Sequence, residues 1–442
     1  MSPDPSRRKR ILALALPIIG GMVSQNVLNL VDTLMVSQLG DAALAGVGLG
    51  SFANFMCTAF ITGLSAGVQA MSARRLGEGR ESEKAIPLNG GLLLAAVIGV
   101  PASALLIWLA PRFFPLLADQ APVSAVGAPY LQARLTAMVA IGMNFSFRGY
   151  FNGVGLSRLY LRTLLVMHAT NVVVSYALIF GVAGLPAYGS LGAGIGSAIA
   201  TWVGTGTYVA LALRHARSSG FLRGLPDRET TRTMTRLSLP AGLQQFFFAT
   251  GMTALFAIIG RVGTAELAAS NVLLNLLLVA LLPAMGFGLA AASLVGQALG
   301  REDKEDARRW AWDVVRIATV AITLIALPAL IAPDLLLSPF LHDAETLGMA
   351  RWPLRLIAIG MPFDTLGMVL MFSMQGAGDT RTVLIVSVLL QWVLLLPTVY
   401  LVGPVLGFGL IGIWLVQAGY RGLQAGVFVG LWRRGGWADV RV

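Results

Sequence analysis

The sequence predicts an all-α integral membrane protein of twelve transmembrane helices in two pseudo-symmetric six-helix lobes. Three observations predict it. Of 442 residues, 56% are hydrophobic and only 12% charged, about half the charged share of a soluble domain. Apolar runs of about twenty residues or more recur along the whole chain, each long enough to cross a hydrocarbon core as a helix. Prolines, glycines and arginines then repeat at a constant spacing of 223 positions.

Backbone groups in lipid must be satisfied internally, which leaves helices or a closed barrel. The runs are long and lack strand-like alternation, so they read as helices. They lie near 11–36, 42–71, 85–111, 125–151, 159–182, 190–213, 237–260, 266–297, 311–338, 349–375, 382–403 and 407–432. The first follows Arg7-Arg8-Lys9-Arg10, and without a small-residue cleavage site it reads as a retained helix, not a signal peptide.

Charge orients the spans. With the amino terminus placed in the cytoplasm, loops on that side hold Arg74, Arg75, Arg80, Lys84, Arg158, the arginines of 214–236, Arg301, Lys304, Arg308, Arg309, Arg381, Arg433 and Arg434. The opposite loops hold chiefly Arg112, Arg261 and Arg351. Positive residues accumulate on the cytoplasmic side, so both termini are expected there, in a multi-pass protein of a bacterial inner membrane. The net charge of +11 is thereby a topology signal, and no nucleic-acid partner is expected. Cys57 is the only cysteine, which excludes an intramolecular disulfide.

The basic stretch 214–236 divides the spans evenly and reads as a linker between lobes at 1–213 and 237–442. Pro17 and Pro240, Gly40 and Gly263, Gly63 and Gly286, Leu76-Gly77 and Leu299-Gly300 each differ by 223, as do Gly153, Gly155 and Arg158 from Gly376, Gly378 and Arg381. A repeat of six spans preserves topology, so the halves run parallel. A cleft between two repeats can open to either side in turn, a physical route to secondary transport. No G-x-x-x-x-G-K-[ST], H-E-x-x-H or C-x-x-C arrangement is present, so neither ATP hydrolysis nor other catalysis is expected. No cofactor is expected beyond a coupling ion, H⁺ or Na⁺.

Polar residues inside apolar runs are costly and mark ion or substrate paths. Asp32 is the strongest candidate, and with Gln25 and Asn29 it forms a polar stripe on one face of span one. A carboxylate there can bind and release a cation as its surroundings change. His168, Asn171 and Ser175 form a similar stripe in span five, expected to face the first. Asp364 in span ten is the second ion-coupling candidate; it shares a face with Met361 and Met368, and methionine suits surfaces that accept many ligands. Gln244, Asn271 and Asn275 are further cavity candidates in spans seven and eight. For each polar residue the competing reading is a hydrogen bond between helices, and for the methionines it is packing.

Leu30-Val31-Asp32-Thr33 followed by Leu39-Gly40 resembles the first helix of the MATE multidrug exporters. So do Gly153-Val154-Gly155-Leu156-Ser157-Arg158 and its counterpart Gly376-Ala377-Gly378-Asp379-Thr380-Arg381. Asn171, Tyr176 and Ile179-Phe180-Gly181 resemble the end of the family's fifth helix. The resemblance spans nearly the whole chain and covers bacterial members of both the DinF-like and NorM-like branches. It implies two six-helix lobes forming a V, acting as a monomer that exports organic, often cationic, small molecules in exchange for H⁺ or Na⁺. Ser175 stands where the DinF-like branch has an acidic residue, and Phe248 where the NorM-like branch has a glutamate. Asp364 matches an aspartate of many members. Alternatives are a lipid-linked oligosaccharide flippase of the same superfamily, a twelve-helix transporter of another family, and a passive channel.

Overall fold

Each of the twelve expected spans is helical in the computed structural model, which describes residues 4–117, 120–182, 184–341, 343–440 and 442. The amino-terminal half contains α1 (Pro5–Ser37), α2 (Asp41–Thr62), α3 (Leu64–Gly77), α4 (Ile86–Phe113), α5 (Ala121–Leu135), α6 (Met138–Gly153), α7 (Ser157–Phe180) and α8 (Ser190–His215). The other half contains α9 (Arg228–Gly260), α10 (Thr264–Gly300), α11 (Lys304–Ile331), α12 (Pro333–Leu337), α13 (Ala344–Ala377), α14 (Thr380–Val388), α15 (Leu396–Tyr400) and α16 (Gly409–Arg434). No strand occurs among the described residues.

Ten helical stretches are long and apolar enough to cross a membrane by length and composition. The other two expected spans are α16 and the α5–α6 pair, which breaks at Thr136–Ala137. Span two also breaks, at Gly63 between α2 and α3. Span eleven holds two π-helical stretches, Leu389–Leu395 and Leu401–Val405. The basic stretch expected at 214–236 is shorter in its non-helical part, because α8 continues to His215 and α9 begins at Arg228.

Local chemistry sets the ends. Gly378 has φ of +97°, a left-handed value that L side chains resist, and it closes α13. Asp379 then caps α14 by accepting a hydrogen bond from Thr382 N at 3.3 Å. The Gly-x-Gly-Asp-Thr-Arg motif is thus a helix stop followed by a helix start. Its counterpart carries Gly155 at φ of +82°.

Packing divides the chain into two compact units. The amino-terminal unit is Gly20–Gln245; the carboxyl-terminal unit is Phe246–Val442 together with the chain up to Ile19. The division falls inside α1 and α9, not in the 216–227 connection. Glycines show why. In the amino-terminal unit a Cβ on Gly63 would stand 2.3 Å from Gly242 N. In the carboxyl-terminal unit a Cβ on Gly286 would stand 2.5 Å from Ile19 Cγ1. Gly63 and Gly286, and likewise Ile19 and Gly242, are 223 positions apart. The second span of each repeat therefore packs on the first half of the other repeat's first span.

Polar anchors reinforce each exchange. In the carboxyl-terminal unit Arg7 donates to Asp306 and Asp313, both at 2.6 Å, with its guanidinium 3.7 Å above the Trp310 ring. In the amino-terminal unit Arg75 donates to Thr230 Oγ1 at 2.9 Å, and Thr230 is the repeat equivalent of Arg7.

Candidate functional site

The amino-terminal unit builds two polar clusters from α1, α7 and α8. Asn171 Nδ2 donates to both oxygens of Asp32, at 3.3 and 3.0 Å. The Asn171 carbonyl oxygen accepts from Ser175 Oγ at 2.6 Å and Ser197 Oγ at 3.4 Å. One turn or more toward the amino end of α1, His168 Nε2 meets Gln25 Oε1 at 3.2 Å, and Gln25 Nε2 donates to Asn29 Oδ1 at 3.2 Å. The two stripes expected to face each other do meet. Asn171 and Ser175 are buried and Asp32 half-buried, while Gln25 and Asn29 are exposed.

Small residues permit this convergence. A Cβ on Gly196 of α8 would sit 2.3 Å from Ser175 Oγ, so only glycine lets α8 lie this close to α7. A Cβ on Gly21 would meet Tyr160 Cε1 at 2.7 Å, which holds α1 near the start of α7. A carboxylate facing an amide donor in an apolar setting can hold a proton or pair with a cation, and it exchanges the two as its surroundings change. Ser197 was not anticipated; its only signal is a hydroxyl at helical spacing in span six.

Asp364 lies in the other unit, buried on α13, with its Oδ1 at 3.2 Å from Arg421 Nε on α16. Arg421 escaped the sequence reading, although it carried the same signal as Asp32: an ionisable residue in the middle of an apolar run. Met361 is buried in an apolar cluster with Leu277, Leu354 and Trp414, and Met368 packs against that cluster. Asn271 and Asn275 are exposed and donate to carbonyls one turn back on their own helix, Leu267 O at 3.1 Å and Asn271 O at 2.8 Å. Gln244 is buried in the amino-terminal unit. The candidates therefore separate into an Asp32 group and an Asp364 group, one in each unit. No cluster of three or more His, Cys, Asp or Glu that would hold a metal occurs among the described residues.

A family model described as MatE matches residues 17–177 and, a second time, residues 240–401. The chain belongs to the MATE family. The two matches begin 223 positions apart, the spacing that the sequence itself repeats. MATE proteins are transporters, not enzymes, and the chain is a multi-pass membrane transporter accordingly. A probable multidrug resistance protein NorM of Synechococcus sp. is 27% identical over 436 residues, covering 95% of this chain and 92% of that protein. Its namesake from Burkholderia pseudomallei is 28% identical over 443 residues, covering 95% and 91%. Among solved structures, an outward-facing conformation of a multidrug resistance MATE transporter of the MOP superfamily superposes with a TM-score of 0.89 at 22% identity, covering 98% of this chain and 97% of that one. A MOP superfamily transporter from Pyrococcus furiosus, whose binding pocket is described as reversed in polarity, gives 0.87 at 22% identity, with the same coverage. These likenesses establish the twelve-helix MATE fold. The family matches end before α16, which carries Arg421.

Proposed function

We propose that this MATE-family chain exports small organic compounds, cationic or amphipathic, in exchange for protons, and that Asp32 is the coupling group. The observation that carries the proposal is the Asp32–Asn171 contact, a carboxylate held by an amide donor inside a polar network that crosses three helices. A deprotonated Asp32 attracts a cationic substrate. Protonation removes that charge and releases it, and loss of the proton restores the site. The NorM relatives, described as probable multidrug resistance proteins, support the substrate class.

The orientation of Asn171 favours H⁺ over Na⁺. A hard cation takes several oxygen ligands. Here the amide presents its N–H₂ to Asp32, and its oxygen is engaged by Ser175 and Ser197. A proton needs only the carboxylate. The network is complete within one chain, which fits a monomer. The basic loops fit an inner-membrane protein with both termini in the cytoplasm.

Purified protein in liposomes, with H⁺ and Na⁺ gradients imposed separately, tests the reading. A proton gradient alone should drive export of a lipophilic cation, and Asp32→Asn, which keeps the size and hydrogen bonding but fixes neutrality, should abolish that export at normal expression. Export that follows Na⁺ alone, or survives Asp32→Asn at the unmodified rate, refutes it.

A further inference from the structure

The connection between α8 and α9, residues 216–227, is clamped to the amino-terminal unit. Asn89, buried on α4, donates through Nδ2 to Gly220 O and Gly224 O, both at 2.9 Å, and accepts at Oδ1 from Leu222 N at 3.0 Å. Ala85 N donates to Ser219 O at 2.9 Å. The buried Phe221 ring meets Phe147 of α6 edge-on, with 6.0 Å between centroids. Phe147 lies six positions before the end of α6, so these contacts draw the connection back to the level of the helix ends. Both α8 and α9 are long and apolar enough to span a membrane, and lipid headgroups lie at the ends of spanning helices.

The clamp turns an odd set of side chains outward. Leu222 has φ of +54°, a left-handed value that glycine or asparagine takes far more easily than leucine. Strain of this kind persists where the side chain has a use. Leu222 is 54% exposed and Leu225, three positions on, 78% exposed. They are flanked in sequence by Arg214, Arg217, Arg223, Arg228 and Arg232, all exposed and none in an ion pair among the described residues. The acidic residues of this stretch are Asp227 and Glu229, and Asp227 is occupied in accepting from Thr230 N at 3.0 Å. The adjoining basic loop is built differently: Arg80 pairs with Glu78 and Glu83, and Lys84 with Glu81.

A partner for this surface must bring negative charge to the arginines and an apolar medium to the two leucines. A soluble anion brings only the charge. An anionic phospholipid brings both, a phosphate at the surface and acyl chains just beneath it.

We propose that the α8–α9 connection is a binding site for anionic phospholipid, with its arginines on the phosphates and Leu222 and Leu225 among the upper acyl segments. The site is separate from the Asp32 clusters and does not depend on the transport reading.

The delipidated full chain in neutral detergent, titrated separately with short-chain phosphatidylglycerol, short-chain phosphatidylcholine and inorganic phosphate, tests the proposal. Phosphatidylglycerol should bind saturably, more weakly as salt rises, and should raise the unfolding temperature; the other two should do neither. Arg217→Gln/Arg223→Gln/Arg228→Gln should lose about a hundredfold in affinity, close to fivefold per arginine. Arg80→Gln/Arg301→Gln/Arg308→Gln removes the same net charge from arginines that are ion-paired and should stay within about twofold. Leu222→Gly takes the left-handed backbone without strain. Without lipid it should unfold at no lower a temperature than the unmodified protein, yet it should bind phosphatidylglycerol about fivefold more weakly. Equal affinity for phosphatidylcholine, equal losses in the two triple variants, or lipid-free unfolding of Leu222→Gly well below that of the unmodified protein overturns the proposal. Inorganic phosphate binding as tightly as phosphatidylglycerol makes a soluble anion the occupant, and overturns it too.

Discussion

The same two helices appear in each repeat, and they carry different chemistry. In the amino-terminal unit α1 and the α7 face opposite it hold Gln25, Asp32, His168 and Asn171. At the repeat-equivalent positions, 223 further on, stand Phe248, Leu255, Gln391 and Leu394. Leu255 lies in an apolar cluster with Ile259, Leu395 and Val399. Only the His168 position keeps a polar side chain, and it reaches the same helix differently: Gln391 Nε2 donates to the Phe248 backbone oxygen at 3.4 Å, whereas His168 meets the Gln25 side chain. The asymmetry also runs the other way. Asp364 and Arg421 correspond to Ile141 and Ala198 in the amino-terminal unit. A duplicated scaffold has kept its helix packing and placed one acidic group in each unit at unrelated positions. The difference teaches that the backbone repeat specifies the fold, while function resides in residues that break the repeat.

Conserved packing is where the two units should respond alike in kind and differ in degree. A Cβ on Gly376 would stand 2.2 Å from Ala292 O, whereas one on its equivalent Gly153 would stand 2.8 Å from Gln69 O. Both clashes are with backbone, which cannot swing aside. Gly376→Ala should destabilise by about 3 kcal/mol and Gly153→Ala by about 1 kcal/mol, the range of overpacking. Thermal unfolding in detergent measures both, and equal losses would mean that the units are not equally rigid.

The smallest effect is expected at His168. Because the other repeat places an amide at that position, His168→Gln should preserve the bridge to Gln25 and leave proton-driven export within about twofold, since hydrogen bonds between membrane helices average about 0.6 kcal/mol. A collapse of transport in this variant, with normal expression, would give the imidazole a protonic role that Gln391 cannot share.

Much of this was legible in the sequence. Span count, repeat spacing and the convergence of the Gln25–Asp32 and His168–Ser175 stripes all follow from side-chain periodicity, which a helix preserves in space. The exchange of the first half-spans was not legible. It depends on Gly63 meeting Gly242 and Gly286 meeting Ile19, contacts between residues far apart in sequence. The break at Thr136–Ala137 carries neither proline nor glycine to announce it. Arg421 was legible by its charge in the middle of an apolar run, but its pairing with Asp364 on another helix was not. Asn271 and Asn275 are exposed, and each also donates to its own helix, a local bond that side-chain spacing alone does not reveal.

The central claim is that coupling belongs to Asp32 and not to Asp364. It is tested most directly by the pH dependence of cation binding. With a radiolabelled lipophilic cation such as tetraphenylphosphonium and protein in nanodiscs, affinity should rise with pH, because a deprotonated Asp32 holds the cation and a protonated one does not. Asp364→Asn should keep that rise, and Asp32→Asn should bind with an affinity independent of pH. A pH dependence that persists in Asp32→Asn, or disappears in Asp364→Asn, would contradict the account.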